Sequence, residues 1–281
     1  HTYGDGRSAY FHSADIKTEG SPEMSVIAVD NAAFSYGGGR RIFGGVSFSL
    51  ERGQILSVIG PNGSGKSTLL NCMAGLLKLD SGEIWLNGKN QKSLKPKEAA
   101  KIIGYVPQNH LPVYGYTVRD FVVMGRAPHI GIFASPGALE YEMAERAMET
   151  IGISHIAERQ YTEISGGERQ QATIARVIAQ RPKVIMMDEP TSSLDYGNQM
   201  LVLRLIKRLS SEGYAVIMTT HTPDHAIMLG GTVALIDRSG KLRVGSTEEI
   251  MNEETLKEVY RVNLKLVYVE QAGRVACIPV S

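Results

Sequence analysis

The stretch GPNGSGKST at positions 60–68 constrains this chain more than any other. It follows the apolar run ILSVI and leads into STLLNCMAGLL, whose apolar residues recur at helical spacing. A strand that enters a glycine-rich loop and leaves as a helix can turn its backbone N–H groups inward around an anion, with no Cβ in the way. The helix beginning near Lys66 adds the positive end of its dipole. Gly60, Gly65, Lys66 and Ser67 occupy the fixed positions of G-x4-G-K-[ST], with Pro61, Asn62, Gly63, Ser64 and Thr68 completing the cradle. In such a loop the lysine reaches β- and γ-phosphates and the hydroxyl of Ser67 ligates Mg²⁺. A flexible turn is the plain alternative, but the strand–loop–helix context weighs for phosphate.

Binding is not hydrolysis, and VIMMDEP at 184–190 supplies the missing chemistry. An apolar strand delivers Asp188 to its carboxyl end, where a carboxylate holds hydrated Mg²⁺. Glu189 follows at once, placed to orient or deprotonate an attacking water. An Asp-Glu pair after a strand also serves as an ordinary helix start, because carboxylates favour that dipole end. Beside the glycine loop, the catalytic reading is the stronger one.

Around these motifs the chain alternates. SVIAVDNAAFSY, RIFGGVSFSL and GEIWLNG read as strands separated by glycine-containing turns, suggesting an antiparallel sheet beside a larger one. VIMMD, AVIMTT and TVALID are short apolar runs between helical segments, as suits parallel strands buried on both faces; IIGYVPQ reads as another buried strand. Residues 117–160 are mostly helical, broken at APHIGIFASPG, and helical periodicity resumes in GGERQQATIARVIAQ. Residues 1–23 are polar and aperiodic, a leader or a native extension, with Met24 a possible initiator. The formal net charge of +1 gives no electrostatic reason for a nucleic-acid or lipid partner. Cys72 and Cys277 lack metal-ligand spacing and read as reduced thiols of a cytosolic protein. No apolar run reaches the roughly 18–20 residues of a membrane helix, so any membrane role is expected to come through a partner.

Further landmarks stand in order. ISGGERQ at 164–170 lies between the loop and VIMMDEP; Gln108 closes YVPQ; SSLD at 192–195 follows the Asp-Glu pair; His221 sits in TTHTPD. Together these resemble the ATP-binding-cassette (ABC) ATPases, over roughly residues 25–260. The resemblance implies an α/β fold: a P-loop NTPase (RecA-like) core with an antiparallel β subdomain and an α-helical insert subdomain. Residues 24–281 would form the ATPase domain, with the helical subdomain over about 109–170 and a β-rich tail over about 262–281.

By the same resemblance, Ser165, Gly166, Gly167 and Glu168 form a second anion site that meets the γ-phosphate held by an opposing copy. His221 senses that phosphate, and Gln108 reaches Mg²⁺ or water through its amide oxygen. Asp195 belongs to the loop linking the opposed sites. Tyr36, 24 residues before Gly60, is the aromatic expected to stack on adenine. Phe34 is the fallback, expected to face the other side of its strand and join the core. Ile164 for Leu and Glu168 for Gln depart from the usual LSGGQ, and Glu168 adds a carboxylate near the shared site. His110, His129 and His225 have no motif support and read as structural.

TVRDFVVMGRAPHIGIF and the tail GSTEEIMNEETLKEVYRVNLKLVYV resemble the importer subgroup for iron–siderophore, haem and cobalamin, to which molybdate or tungstate importers are similar. The implied partners are a second copy in a head-to-tail homodimer, polytopic membrane permease subunits and, indirectly, a substrate-binding protein, with no nucleic acid. The implied cofactors are ATP and Mg²⁺, and the implied place is the cytoplasmic face of the cell membrane. A soluble assembly ATPase of the iron–sulfur scaffold type and an exporter ATPase are the alternatives.

Overall fold

The structure is a computed structural model and describes residues 25–37, 39–108, 115–131 and 133–280. The leader, Met24 and His110 lie outside the described residues. Strands β1 (Ile27–Ser35) and β2 (Arg41–Leu50) come first, then β3 (Ile55–Ile59), helix α1 (Lys66–Met73), β4 (Ser81–Leu86), β5 (Lys89–Asn90), the short α2 (Pro96–Ala99) and β6 (Ile103–Val106). Helices α3 (Val118–Val123), α4 (Ala138–Ile151) and α5 (Gly166–Gln180) follow. The chain then alternates through β7 (Val184–Met187), α6 (Tyr196–Ser211), β8 (Ala215–Thr220), α7 (Pro223–Leu229), β9 (Thr232–Ile236) and β10 (Leu242–Ser246). It closes with α8 (Thr247–Ile250), α9 (Glu253–Tyr260) and the hairpin β11 (Leu264–Val269) to β12 (Arg274–Pro279).

Two larger sheets result. One is antiparallel, in the order β2-β1-β4-β5. The other runs β10-β9-β3-β8-β7-β6 and is parallel except for β10, an antiparallel edge strand that the sequence reading did not anticipate. KLRVGS lacks the apolar run of its neighbours because its residues are only half buried. The fold is thus the α/β arrangement with a separate antiparallel sheet that the motifs led us to expect.

The period-2 alternation of the strands sorts the core into two layers. Val184 and Met186 of β7 and Ala215 and Ile217 of β8 join Leu69, Leu70 and Met73 of α1 and the inner face of the antiparallel sheet. Ile185, Met187, Val216 and Met218 face the opposite way, onto α5 and α6. Each fully buried Val, Leu, Ile or Met among them contributes about 1.5–3 kcal/mol. This double burial keeps the strands mostly apolar, and it anchors the loops at their carboxyl ends.

The helical segment is more broken than its sequence suggested. Helix α3 ends at Val123 and a 3₁₀ stretch carries Met124–His129, with Pro128 inside it. Gly125 explains the close packing there, since a Cβ on it would lie 2.0 Å from the carbonyl oxygen of Arg176 in α5. At the far end of the chain, β12 is tied to α7 through Arg274 and Asp224, 3.3 Å apart, and the N–H of Cys277 donates to Asp224 at 2.9 Å.

Candidate functional site

The glycine loop spans β3 to α1, where the sequence placed it. Two of its glycines are required by space. A Cβ at Gly60 would sit 2.2 Å from the carbonyl oxygen of Ile236, and one at Gly65 (φ +106°) would sit 2.5 Å from Cγ2 of Ile42. Strands β9 and β2 therefore pin the loop from two sides. Lys66 opens α1, and its ammonium, on a side chain only 4% exposed, donates to the carbonyls of Gly60 (3.0 Å) and Pro61 (3.2 Å). It also pairs with Oε1 of Glu189 at 3.3 Å.

Strand β7 ends at Met187 and hands on Asp188 and Glu189 directly opposite. Ser67 donates to Oδ1 of Asp188 at 2.8 Å. The Thr219 hydroxyl, near the end of β8, donates to the same oxygen at 2.6 Å and accepts the Glu189 N–H at 2.8 Å. Glu189 itself takes φ +44°, a left-handed conformation that non-glycine residues seldom adopt. Held so, its Oε2 lies 3.2 Å from Nδ1 of His221 and 3.4 Å from Nε2 of Gln108. The structure thus brings Lys66, Glu189, His221 and Gln108 together around one carboxylate, and Ser67 and Asp188 into direct contact. Ser67 and Asp188 offer hard oxygen donors, as does the Gln108 amide, a set that fits Mg²⁺.

An open cleft of about 380 Å³ faces these groups, lined by Tyr36, Asn62, Gly63, Lys66, Thr68 and Glu189 among others. Tyr36 is 54% exposed at its mouth, and its hydroxyl lies 3.2 Å from the Thr68 hydroxyl. Phe34 is buried, edge-on to Tyr36 with ring centres 4.9 Å apart. The reason expected for that difference needs correction, because residues two apart share a strand face. What separates them is that β1 ends at Ser35, leaving Tyr36 in the turn that follows.

Ser165, Gly166, Gly167 and Glu168 stand elsewhere, at the start of α5, and do not line this cleft. Ser165 caps the helix, and its N–H donates to Oε2 of Glu168 at 2.7 Å while the Glu168 N–H donates back to Oγ at 3.3 Å. The first of these bonds holds the Glu168 carboxyl below its ordinary range. The extra carboxylate is thus turned onto its own helix, with Arg159 3.6 Å away. Ser165 and Gly166 are exposed. Asp195 caps α6 by accepting from the Asn198 backbone (2.9 Å) and side chain (2.7 Å), bonds that lower its carboxyl's pKa. Asn198 reaches the α5 start, since a Cβ on Gly167 would meet its amide at 2.9 Å.

Of the remaining histidines, His225 is buried between Thr191 and Thr220, and burial pushes its pKa down. His129 contacts the Gln180 carbonyl at 2.8 Å. Thr219 and Asn198 were missed by the sequence reading, as was Tyr105, which donates to Oδ1 of Asn71 at 2.9 Å. Burial, and then Asp188, push that phenol's pKa up. A polar pair closing the otherwise apolar β8 was the one available signal for Thr219.

Residues 43–192 match the ABC transporter family. The chain belongs to the ABC transporter ATPase family. It is an ATP-binding, ATP-hydrolysing enzyme of the transporter type. The chain is 36% identical to the molybdate import ATP-binding protein MolC of Haemophilus influenzae, over 84% of this chain and 88% of that one. It is 34% identical to a probable iron chelatin transport ATP-binding protein of Helicobacter pylori, over 86% and 96%. Among solved structures it resembles a metal-chelate type ABC transporter in an inward-facing conformation, with a TM-score of 0.81 and 32% identity, covering 92% of this chain and 98% of that one. No helix among the described residues is long and apolar enough to cross a membrane.

Proposed function

We propose that this ABC ATPase drives the import of a metal compound, of the iron–siderophore, haem or cobalamin kind or one related to it, by closing and reopening a head-to-tail homodimer beneath a membrane permease. The observation that carries this reading is the split between the two anion-binding elements. Lys66, Ser67, Asp188 and Glu189 converge within one chain, whereas Ser165 and Gly166 are exposed at the start of α5 and do not line that cleft. A second copy would supply the missing donors to the γ-phosphate, and Asp195, joined to the α5 start through Asn198, would link one site to the other.

In each site, Lys66 exchanges Glu189 for the β- and γ-phosphates of ATP, while the loop N–H groups and the start of α1 take up the remaining charge. Release from Lys66 leaves Glu189, steadied by His221, to orient water and accept its proton. Ser67, Asp188 and Gln108 would hold Mg²⁺, which supplies charge neutralisation at the phosphates. Tyr36 packs on the adenine. ATP binds the closed dimer better than the open one, and that difference in affinity is what performs mechanical work.

The permease contact is assigned to an open, mainly apolar groove of about 710 Å³ bounded by Leu76, Leu77, Leu94, Pro96 and Tyr105. Tyr105 joins this groove to the Asp188 neighbourhood. The cytoplasmic membrane face follows from such a partner, and a substrate-binding protein would act from the other side. Import and metal cargo are supported by the relatives, which carry molybdate or iron chelatin in their names. Neither the assembly nor the exporter alternative is favoured by these relatives. The test is reconstitution with the neighbouring permease in proteoliposomes, where cargo-loaded binding protein should stimulate ATP hydrolysis. Co-purification with a soluble scaffold protein and no such stimulation would overturn the import reading.

A further inference from the structure

The strands that carry the nucleotide site at their carboxyl ends carry a second feature at their amino ends. An open cleft of about 610 Å³ lies there, lined by Arg52, Arg126, His129, Arg181, Lys183 and Tyr214. Arg52, Lys183 and Tyr214 stand within a few residues before the first residues of β3, β7 and β8. A strand of this length spans about 15 Å, so the cleft is remote from Lys66 and Glu189.

Its charge is one-sided. Among the described residues, no ion pair involves Arg52, Arg126, Arg181 or Lys183. Glu212, the acid on the wall, lies 3.6 Å from Arg208. The Lys183 ammonium donates to a neutral group, Oδ1 of Asn87, at 2.8 Å. In a chain of net charge +1 this local excess is not a by-product of a basic composition.

Arg126 is the group that most needs an anion. It is 6% exposed, one nitrogen donates to the Ala179 carbonyl at 2.8 Å, and its Nε is buried with no hydrogen-bond partner. Burial lowers its pKa, the nearby Glu140 works in the opposite direction, and Arg181 lowers it further. His129 is likewise depressed, by burial first and by Arg126, Lys101 and Arg181, against the bond to the Gln180 carbonyl. Arg181 ends α5 at φ +55°, a position that glycine or asparagine fills more easily, yet it keeps an arginine at the cleft. Burial also raises the Tyr214 phenol's pKa, so it remains a hydrogen-bond donor.

We propose that this cleft is a phosphate-binding site distinct from the nucleotide site, taking the phosphate of an anionic phospholipid headgroup or a phosphate free in solution. Arginine forks and a lysine around one concavity match a tetrahedral, multiply charged oxyanion, whose several oxygens reach Arg126 and Arg181 together. The phosphate would offset the mutual repulsion of the basic groups around His129.

The test uses the full-length protein with its nucleotide site filled by a non-hydrolysable ATP analogue and Mg²⁺. Inorganic phosphate is titrated while the Arg126 Nε–H and His129 resonances are followed. Separately, sedimentation is measured with vesicles of phosphatidylcholine with and without phosphatidylglycerol. Saturable binding is expected with at least one probe, weakened about tenfold or more in Arg52→Gln/Arg181→Asn, where asparagine suits the left-handed position. Lys183→Gln serves as a second surface variant with a smaller loss, and both should hydrolyse ATP at the parental rate. Vesicle binding alone identifies a lipid headgroup, and phosphate binding alone identifies a soluble ligand. Silence with both probes, or undiminished affinity in the double variant, overturns the proposal.

Discussion

The loop-and-carboxylate half of the site and the α5 half differ in how completely this chain equips them. Around Lys66, ligand-facing groups already hold one another: ammonium to Glu189, Ser67 to Asp188, Thr219 to both acids' surroundings. At α5, Ser165 and Glu168 cap each other, Arg159 pairs with the Glu168 carboxylate, and Ser165 and Gly166 stand exposed. A buried, interlocked cluster needs every partner in place, because an unpaired charge there is costly. An exposed helix start costs little while it waits in water. On the proposed reading, the first half is built to do chemistry and the second to be delivered to another molecule.

Four substitutions break or sharpen that contrast. Glu189→Gln should cause the largest change, lowering kcat by about 10²–10⁴-fold while ATP affinity stays within a few-fold, as read by steady-state hydrolysis and equilibrium binding. Gly166→Asp aims a carboxylate at the incoming phosphate, and hydrolysis should fall about 10²-fold. In the single chain its ATP affinity should match the parent, a separation that the same charge placed beside Lys66 would not give. Thr219→Val strips one acceptor from the Glu189 N–H and one donor from Asp188. It should cost about 1–3 kcal/mol in denaturant unfolding, with kcat reduced more than KM. Tyr36→Leu should be mildest, raising KM several-fold through about 0.5–1.5 kcal/mol of lost ring stacking, with kcat nearly unchanged.

What could be read beforehand divides along the same line. GPNGSGKST is legible because its chemistry sits in consecutive residues with fixed spacing, and VIMMDEP because strand and acid adjoin. The α/β order was legible because strands buried on both faces become unbroken apolar runs. Thr219 was not, since it acts on Asp188 across 31 positions and looks like one more β-branched strand residue. Asn198 gains meaning only once α6 lies beside Gly167. The half-buried β10 carried no apolar signature, and the basic cleft gathers Arg52, Arg126 and Arg181 from three distant stretches. Tyr36 was placed by its distance from Gly60, while the strand argument offered for Phe34 failed on simple alternation. Local spacing survives in one dimension; contacts made by folding do not.

The central claim is that hydrolysis needs two copies, each contributing what the other lacks. Analytical ultracentrifugation of Glu189→Gln with and without MgATP tests it most directly. The mass should rise from 30.6 kDa to about twice that when MgATP is added, with one nucleotide bound per chain, and Gly166→Asp in the same background should return it to the single-chain value. A 30.6 kDa species that is fully loaded with ATP at every protein concentration would contradict the account.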